Sequence, residues 1–486
     1  MKKKLKSGLK NGLFALLLIT LISCKTDDYY SGNDATLSFS QELITFDTLF
    51  TSLNSITKVL SVKNPYKKAL STDITLVGGD RSYYSLNING ISAKSLRNIE
   101  IPAKDSILIF IKINIDPNGG NIPMLVSDTI AFFTNGNRQN VTLLAFGEDA
   151  HFIIPTDRLV LEDSSFIEYS IIANYGEDIK WTNDKPYVIY GQAIIYSFGK
   201  LTIEAGTRIY CHSQSGLWVY TGGGLTVNGT ADQPVVFQGD RREEIFASDY
   251  AQWGGISINS THQVCKINYA IIKNAGTGIQ AGTFSGTRSK DKLILTNSII
   301  HTSQIGLNFY KFNLEAANNV VYDCQSACFS AQLGGNYTLV NNTFYNEVTM
   351  GINGRRTTPA VYLSNYVQVD DNTAYCADLE CFSYNNIIYG VADSTEFYTS
   401  IAKEATANVE LKNCLLKATA SAMKGVAVNV DNIFNQNPLF TDYRNNDFSL
   451  QSASPCIGKG IYHPAADSDI KGKYRNNPPC IGAFEY

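Results

Sequence analysis

The chain has 486 residues, 40 basic against 44 acidic side chains, a formal net charge of −4, 44% hydrophobic residues and only five His. A near-neutral, slightly acidic balance gives no broad attraction for nucleic acid or for an anionic membrane surface, so nucleic acid is not an expected partner. The length predicts two or three domains.

Residues 1–23 stand apart from the fold. Lys2, Lys3, Lys4, Lys6 and Lys10 form a basic n-region, and Leu13 to Ile22 is an apolar stretch too short to span a bilayer. The run ends Leu21-Ile22-Ser23-Cys24, which resembles the lipobox of bacterial lipoproteins: an aliphatic residue three before the cysteine, a small residue just before it, and a thiol to carry the lipid. The resemblance implies a signal peptide over 1–23 and lipidation of Cys24, with acyl chains contributing ~0.8 kcal/mol per buried CH₂ to hold the protein on a membrane. The plainer alternative is an ordinary signal peptide followed by a chance Cys. Lys25-Thr26-Asp27-Asp28 is similar to the short acidic tags of Gram-negative lipoproteins sent to the outer leaflet, and Lys25 stands where inner-membrane retention usually has Asp. The implied location is the outer membrane, lipid-anchored and facing the cell exterior. Loss of the signal segment removes five Lys and no acid, leaving 35 basic against 44 acidic residues, net −9. An anionic glycan would then need a local basic patch.

Residues 24–36 are mostly polar and read as a tether. From 37 to 150 the pattern is short alternating strands, among them Thr57–Val62, Asp73–Leu76, Ser85–Ile88, Ser106–Ile113, Thr129–Phe133 and Val141–Phe146. Turn signals separate them, such as Asn64-Pro65, Gly78-Gly79, Asn89-Gly90 and Asn135-Gly136. About seven strands in ~110 residues is the arithmetic of an immunoglobulin-like sandwich. The run Phe46-Asp47-Thr48…Leu60-Ser61-Val62-Lys63-Asn64 resembles the hydin-like class of such modules, which implies a spacer or docking role.

Residues 151–186 follow as a connector and N-terminal cap for what comes next. Five tetrads then recur: Asn297-Ser298-Ile299-Ile300, Asn319-Val320-Val321-Tyr322, Asn342-Thr343-Phe344-Tyr345, Asn386-Ile387-Ile388-Tyr389 and Asn413-Cys414-Leu415-Leu416. Their first residues step by 22, 23, 44 and 27. The unit is too short for a propeller blade and lacks helical periodicity, so one turn of a parallel β-coil fits it, with an Asn at the same place in each coil bonding to its copies. Gly199 to Thr207, Gly224 to Thr230 and Trp253-Gly254-Gly255-Ile256 resemble the opening coils of right-handed parallel β-helix proteins of the pectate-lyase-like superfamily. Residues 437–486, with Asn437-Pro438-Leu439-Phe440 and Ile481 to Tyr486, are similar to the segment that closes many secreted β-helices. The expected fold is all-β: an immunoglobulin-like β-sandwich followed by a right-handed parallel β-helix over 187–436. The resemblance is to uncharacterised surface lipoproteins and brings no catalytic residue.

Ten Cys, one of them Cys24, leave nine in a compartment where disulfides persist. Cys324/Cys328, Cys376/Cys381 and Cys456/Cys480 are the candidate pairs, whereas Cys211, Cys265 and Cys414 lie in strand-like runs and read as core. No second CxxC or nearby His cluster points to zinc, and no metal site or cofactor is expected.

β-Helix enzymes mostly cleave acidic polysaccharides. A hydrolase needs closely placed Asp residues, but Asp370-Asp371 is adjacent in sequence, and neighbours on a strand point to opposite faces. A lyase of this kind takes Arg or Lys as base and Ca²⁺ as Lewis acid; Arg356-Thr-Thr-Pro359-Ala-Val-Tyr362 echoes its Arg-x-x-Pro-x-x-Arg signature but ends in Tyr, and no carboxylates are spaced for calcium. His151, His212, His262, His301 and His463 are scattered. Two loops remain as binding candidates: Asp240, Arg241 and Arg242, followed by Glu243 and Glu244, and Arg355-Arg356 in the longer excursion. Trp218, Tyr220 and Trp253 offer flat faces for sugar stacking. The plainer reading, which carries more weight, stacks these aromatics inside the coil and pairs the Arg with Glu243, Glu244 or solvent. The function expected is non-catalytic binding or adhesion, with polysaccharide the preferred ligand; the alternatives are a polysaccharide lyase and an envelope scaffold. The sequence says nothing of oligomeric state.

Overall fold

A computed structural model describes residues 29–50, 57–113, 124–148, 150–163, 165–242, 246–259, 264–284, 291–347, 356, 358–370, 373–392 and 394–486, with the backbone alone at 47–50, 124–125 and 146–148. The signal segment, Cys24, Glu243, Glu244, His262, Arg355 and Asp371 lie outside the described residues. The chain divides into two compact units, Met1–Asp149 and Ala150–Tyr486.

The first unit is a sandwich of two five-stranded sheets. One runs Ser38–Phe39, Lys58–Lys63, Ser106–Ile113, Tyr84–Ile88, Ile91–Ser92; the other runs Leu43–Phe50, Asn137–Glu148, Met124–Thr134, Leu70–Leu76, Ser95–Ile101. Strict alternation decides which face is core. In Ser106–Ile113 the side chains of Ile107, Ile109, Ile111 and Ile113 are buried, and Leu108 and Phe110 between them are exposed. Each buried Ile contributes roughly 1.5–3 kcal/mol. They meet Ile44, Phe46, Ile74, Ile130, Phe132 and Val141 of the facing sheet in one cluster.

The second unit is a parallel β-helix. An eleven-stranded sheet runs from His151–Ile153 to Ile433–Phe434, and an eighteen-stranded sheet from Asp157–Val160 to Val426–Val430. Strands of successive coils pair in parallel, for example Ile271↔Ile299, Ile299↔Val320 and Thr343↔Ile387. The exception is Asp157–Val160, antiparallel on Phe166–Ala173. Parallel pairing begins with His151–Ile153 on Tyr187–Ile189 and Phe166–Ala173 on Gln192–Ile195. Phe166–Ala173 lies between Asp157–Val160 and Gln192–Ile195 and is half exposed along its length. Inside the coil, residues from both sheets form one continuous core from Ala173 to Ala418. Gly255, at φ +118°, shows why Gly punctuates the early coils: a Cβ there would lie 1.7 Å from the Thr277 carbonyl oxygen of the next coil.

The asparagines form two columns rather than one. Asn319, Asn342 and Asn386 are buried and linked, Nδ2 of Asn319 donating to Oδ1 of Asn342 at 2.9 Å and Nδ2 of Asn342 to Oδ1 of Asn386 at 3.0 Å. Each Oδ1 also accepts a backbone N–H of the preceding coil, from Ser298, Asn319 and Asn342. The register places Ser298 and Cys414 in this column, so the tetrads beginning Asn297 and Asn413 are offset by one residue. Asn297 and Asn413 belong instead with Asn318, Asn341 and Asn385, all at φ between 52° and 58°. Asn is the side-chain-bearing residue that best tolerates this left-handed bend.

That second column holds the C-terminal segment. Asn318 donates to the Ser468 carbonyl at 2.8 Å, Asn341 to Cys480 at 3.0 Å, Asn385 to Ile461 at 2.7 Å and Asn413 to Lys459 at 2.9 Å. Residues 437–486 thus lie along the outer face of the eleven-stranded sheet, where Phe440, Phe448, Ile481 and Phe484 cluster with Val320, Tyr322, Tyr345, Ile387 and Leu415. A buried Arg475–Glu485 ion pair fixes the segment, and Arg475 also donates to Asn318 Oδ1 at 2.7 Å.

The nine described cysteines are free thiols, so the expected pairs Cys324/Cys328, Cys376/Cys381 and Cys456/Cys480 are not bonded. Cys381 sits in the coil interior in register with Tyr337 and Val409, whereas Cys376 lies on the hairpin Tyr366–Asp370/Thr373–Cys376. Cys324 and Cys328 instead donate to the Tyr322 and Tyr345 carbonyls. Burial pushes the Cys265 thiol up to about 11 and those of Cys381 and Cys456 to about 12, which suppresses the thiolate that disulfide exchange requires at these three.

Candidate functional site

Only part of the eleven-stranded sheet lies beneath the C-terminal segment. On the strands Arg208–Cys211, Val235–Gly239, Ala270–Lys273 and Ile299–Ser303 the inward residues Ile209, Phe237, Ile272 and Ile300 are fully buried. Their outward neighbours Val236, Gln238, Ile271, Lys273, Ile299 and His301 are half-buried. Four strands about 4.8 Å apart make a trough about 15 Å long. At the edge nearer the C-terminal segment, Ile271 and Ile299 floor a groove of about 490 Å³ walled by Asp232, Tyr269, Asn446 and Lys471.

The other edge is made by the loop after Val235–Gly239, the one singled out at Asp240, Arg241 and Arg242. It runs along the stack rather than away from it. Asn274 Nδ2 donates to the Ala247 and Asp249 carbonyls, Gln252 Nε2 to the Phe246 carbonyl at 2.6 Å, and Tyr250 Oη to Asp323 Oδ1 at 2.6 Å. Asp323 lies on Val320–Cys324, the strand three places further along the sheet, so the loop reaches about 14 Å along the stack. Between loop and coil turns lies a cleft of about 620 Å³ lined by Asp240, Arg241, Asp249, Tyr250, Gln304 and Gln325. Gln304 and Gln325 each follow the register pair Ser303↔Cys324 and so stack in adjacent coils.

The loop's charges are anchored. Asp240 pairs with His212 Nδ1 at 2.7 Å, and that hydrogen bond raises the imidazole above its ordinary value. His212 stacks on Tyr190, the Arg241 guanidinium lies 3.8 Å from the Phe246 ring centroid, and Arg242 lies 4.9 Å from that of Tyr210.

A second set of groups joins trough to cleft. Thr302 Oγ1 donates to Asp323 Oδ2 at 2.8 Å and lies 2.9 Å from His301 Nδ1. Because the one hydroxyl proton goes to the carboxylate, Nδ1 must carry the imidazole proton and Nε2 is left as an acceptor. Burial, with Lys273 adjacent, lowers His301 to about 4, so it is neutral at physiological pH. Lys273 is in register beside it, and burial lowers its ammonium too. His301 stacks on Tyr322 at 4.9 Å. The arrangement pairs a fixed hydrogen-bond acceptor with a cation in one trough. Among the described residues no three His, Cys, Asp or Glu side chains converge so as to hold a metal ion.

The remaining candidates fall elsewhere. Trp253 is buried in the coil core, its Nε1 donating to the Lys273 carbonyl at 2.8 Å, so it presents no face to a sugar. Trp218 is half-buried, donates to Asn259 Oδ1 at 2.9 Å, and packs edge-on against Tyr220, which itself stacks on Tyr196. Arg356 is not a surface residue: it is buried and forked onto Glu396, with Nη2 2.7 Å from both carboxylate oxygens, which also accept the Ala360 and Ala392 N–H groups. Asp370 lies on the exposed hairpin. Lys273, His301, Tyr250, Asp323, Gln304 and Gln325 escaped sequence reading because different coils supply them. The signal was the tetrad register: once offset correctly, Lys273, His301, Tyr322, Tyr345 and Tyr389 fall in one row.

No curated protein sequence matches the chain. Among solved structures, the catalytic unit of a thermostable GH87 alpha-1,3-glucanase from Streptomyces thermodiastaticus aligns at 12% identity over 78% of this chain and 86% of its own, TM-score 0.27. A protein of unknown function from Porphyromonas gingivalis W83 aligns at 12% identity over 30% and 58%, TM-score 0.19. An ASH/PapD-like domain of human CEP192 aligns at 9% identity over 26% and 94%, TM-score 0.18. Residues 173–297, which hold the early coils and the loop at the trough's edge, are similar to the pectate-lyase-like beta-helix domain family.

Proposed function

We propose that this chain is a lipoprotein anchored through Cys24 to the outer membrane and displayed on the cell surface, where its β-helix binds polysaccharide without cleaving it and its immunoglobulin-like sandwich serves as a spacer. The observation that carries the reading is the cleft beside the trough: the amides of Gln304 and Gln325 at the coil turns and the Tyr250 hydroxyl on the loop line the cleft, and Gln238, Ile271 and Ile299 are outward residues of the neighbouring strands. Amides donate and accept at once, which suits sugar hydroxyls, and the apolar floor suits the faces of sugar rings. The pectate-lyase-like domain supports carbohydrate as the ligand class.

The test is electrophoresis of the protein through native gels containing different neutral and acidic polysaccharides, stained afterwards for polymer. One glycan should retard the protein, and Gln304→Ala with Gln325→Ala should abolish retardation without changing thermal unfolding. Unretarded migration in every gel overturns the reading in favour of a scaffold or protein adhesin. A cleared track supports a second reading, a polysaccharide lyase. That reading is favoured by Lys273 beside the Nε2 acceptor of His301.

A further inference from the structure

The two ends of the coil are finished differently. At the N-terminal end the eighteen-stranded sheet turns back on itself, with Asp157–Val160 antiparallel to Phe166–Ala173. At the C-terminal end that sheet stops at Val426–Val430 and the eleven-stranded sheet at Ile433–Phe434, in the same coil. Among the described residues each of these strands pairs on one side only. Interior positions that are fully buried at Val409 and Leu411 continue as half-buried Val426 and exposed Asn429. The buried asparagine column also ends here. Asn432 Oδ1 accepts the Cys414 N–H at 2.7 Å, and its Nδ2 reaches Leu411 O and Asn429 Oδ1. The Asn432 N–H occupies the place from which earlier members donate to the next coil.

Exposed edges are ordinarily blunted by charge or Pro. Here the stretch 424–435 has no Pro and just two charges, Lys424 and Asp431, which are opposite in sign. Nothing in it repels a copy of itself, and the amides of Asn429 and Asn432 are complementary to their own kind. We propose that two copies of this chain join end to end through this last coil, Val426–Val430 pairing antiparallel with its counterpart about a twofold axis. Self-pairing of this kind is closed: it uses the Val426–Val430 edge of both copies.

Backbone direction supplies a selective test. The Val430 carbonyl accepts the Asn413 N–H at 3.0 Å, so Val430 points its backbone groups at the preceding coil and Asn429 points its own outward. Asn429→Pro deletes a donor that only a partner would use, and edge strands accept Pro there. Asn429→Ala loses the side-chain bond to Asn432 but keeps the donor. Sedimentation of the full chain in mild detergent should show twice the monomer mass at micromolar concentration. Asn429→Pro should raise the dissociation constant at least tenfold, whereas Asn429→Ala should leave it within a few-fold. Asn429→Lys, which sets like charges across the axis, should act as Pro does if Pro itself disturbs folding. A monomer at every concentration overturns the proposal, as does a dimer that neither Pro nor Lys weakens.

Discussion

One row of outward positions crosses the eleven-stranded sheet: Lys273, His301, Tyr322, Tyr345 and Tyr389. The last three belong with the cluster formed by residues 437–486, while the first two face the open trough. Backbone and register are the same throughout, so the cover alone distinguishes the two stretches. Where the cover lies, the row is aromatic, with Tyr322 and Tyr345 each packed against Phe448. Where it is absent, the row is mixed, running from Tyr210 and Gln238 to Lys273 and His301. An ammonium under that cover would need a partner that apolar surroundings do not supply. The position in the coil thus sets where a side chain points, and a segment far along the chain sets which chemistry is tolerated there.

Four changes would break or sharpen this contrast. Glu485→Ala leaves Arg475 buried without its carboxylate and should destabilise by about 3–5 kcal/mol, read by denaturant unfolding. Hydrogen exchange should then rise in Val320–Cys324 and Thr343–Asn346 and stay unchanged in Ala270–Lys273; equal change in both would mean the cover does not act locally. Tyr322→Lys gives a covered position the chemistry of the open one and should cost about 3 kcal/mol, from lost packing together with an unpaired charge. The two imidazoles should titrate in opposite directions by NMR. His301, lowered to about 4, remains neutral in the fold, so stability falls as pH drops from about 6.5 towards 4, because the unfolded chain takes up the proton first. His212 is raised by Asp240, so its contribution is present below about 6.5 and is lost as pH rises through the folded value. Coincident titration would contradict the burial of His301 and the Asp240 hydrogen bond to His212. The smallest effect is expected from Lys273→Tyr, which should change stability by less than about 0.5 kcal/mol while weakening retardation by an acidic glycan.

Architecture was largely legible because it is local and repeated. Alternation in Ser106–Ile113 identified a sandwich strand, and the tetrads identified the coil. The Asp240–Arg242 loop stands out in the sequence because it interrupts a coil, and Asp240 and Arg241 line the cleft. Trp253 falls inside the coil, as the plainer reading of the sequence has it, and Arg356 is buried on Glu396, a partner that sequence alone does not distinguish from solvent or a neighbouring loop acid. Lys273, His301 and Asp323 were invisible as a group because no two share a coil, and a one-residue offset in the tetrads hid their common row.

The 44-residue step marks a single enlarged coil, since Thr343 pairs directly with Ile387 across it. The added length includes the hairpin Tyr366–Asp370/Thr373–Cys376, placed between the strands Val361–Ser364 and Leu379–Tyr384. Both of those strands, and the buried Asn342–Asn386 bond, keep the stacking of neighbouring coils. The repeat therefore counts coils rather than residues. Foreign sequence inserted between Asp370 and Thr373, from an epitope to a small folded module, should be carried without resetting the repeat on either side.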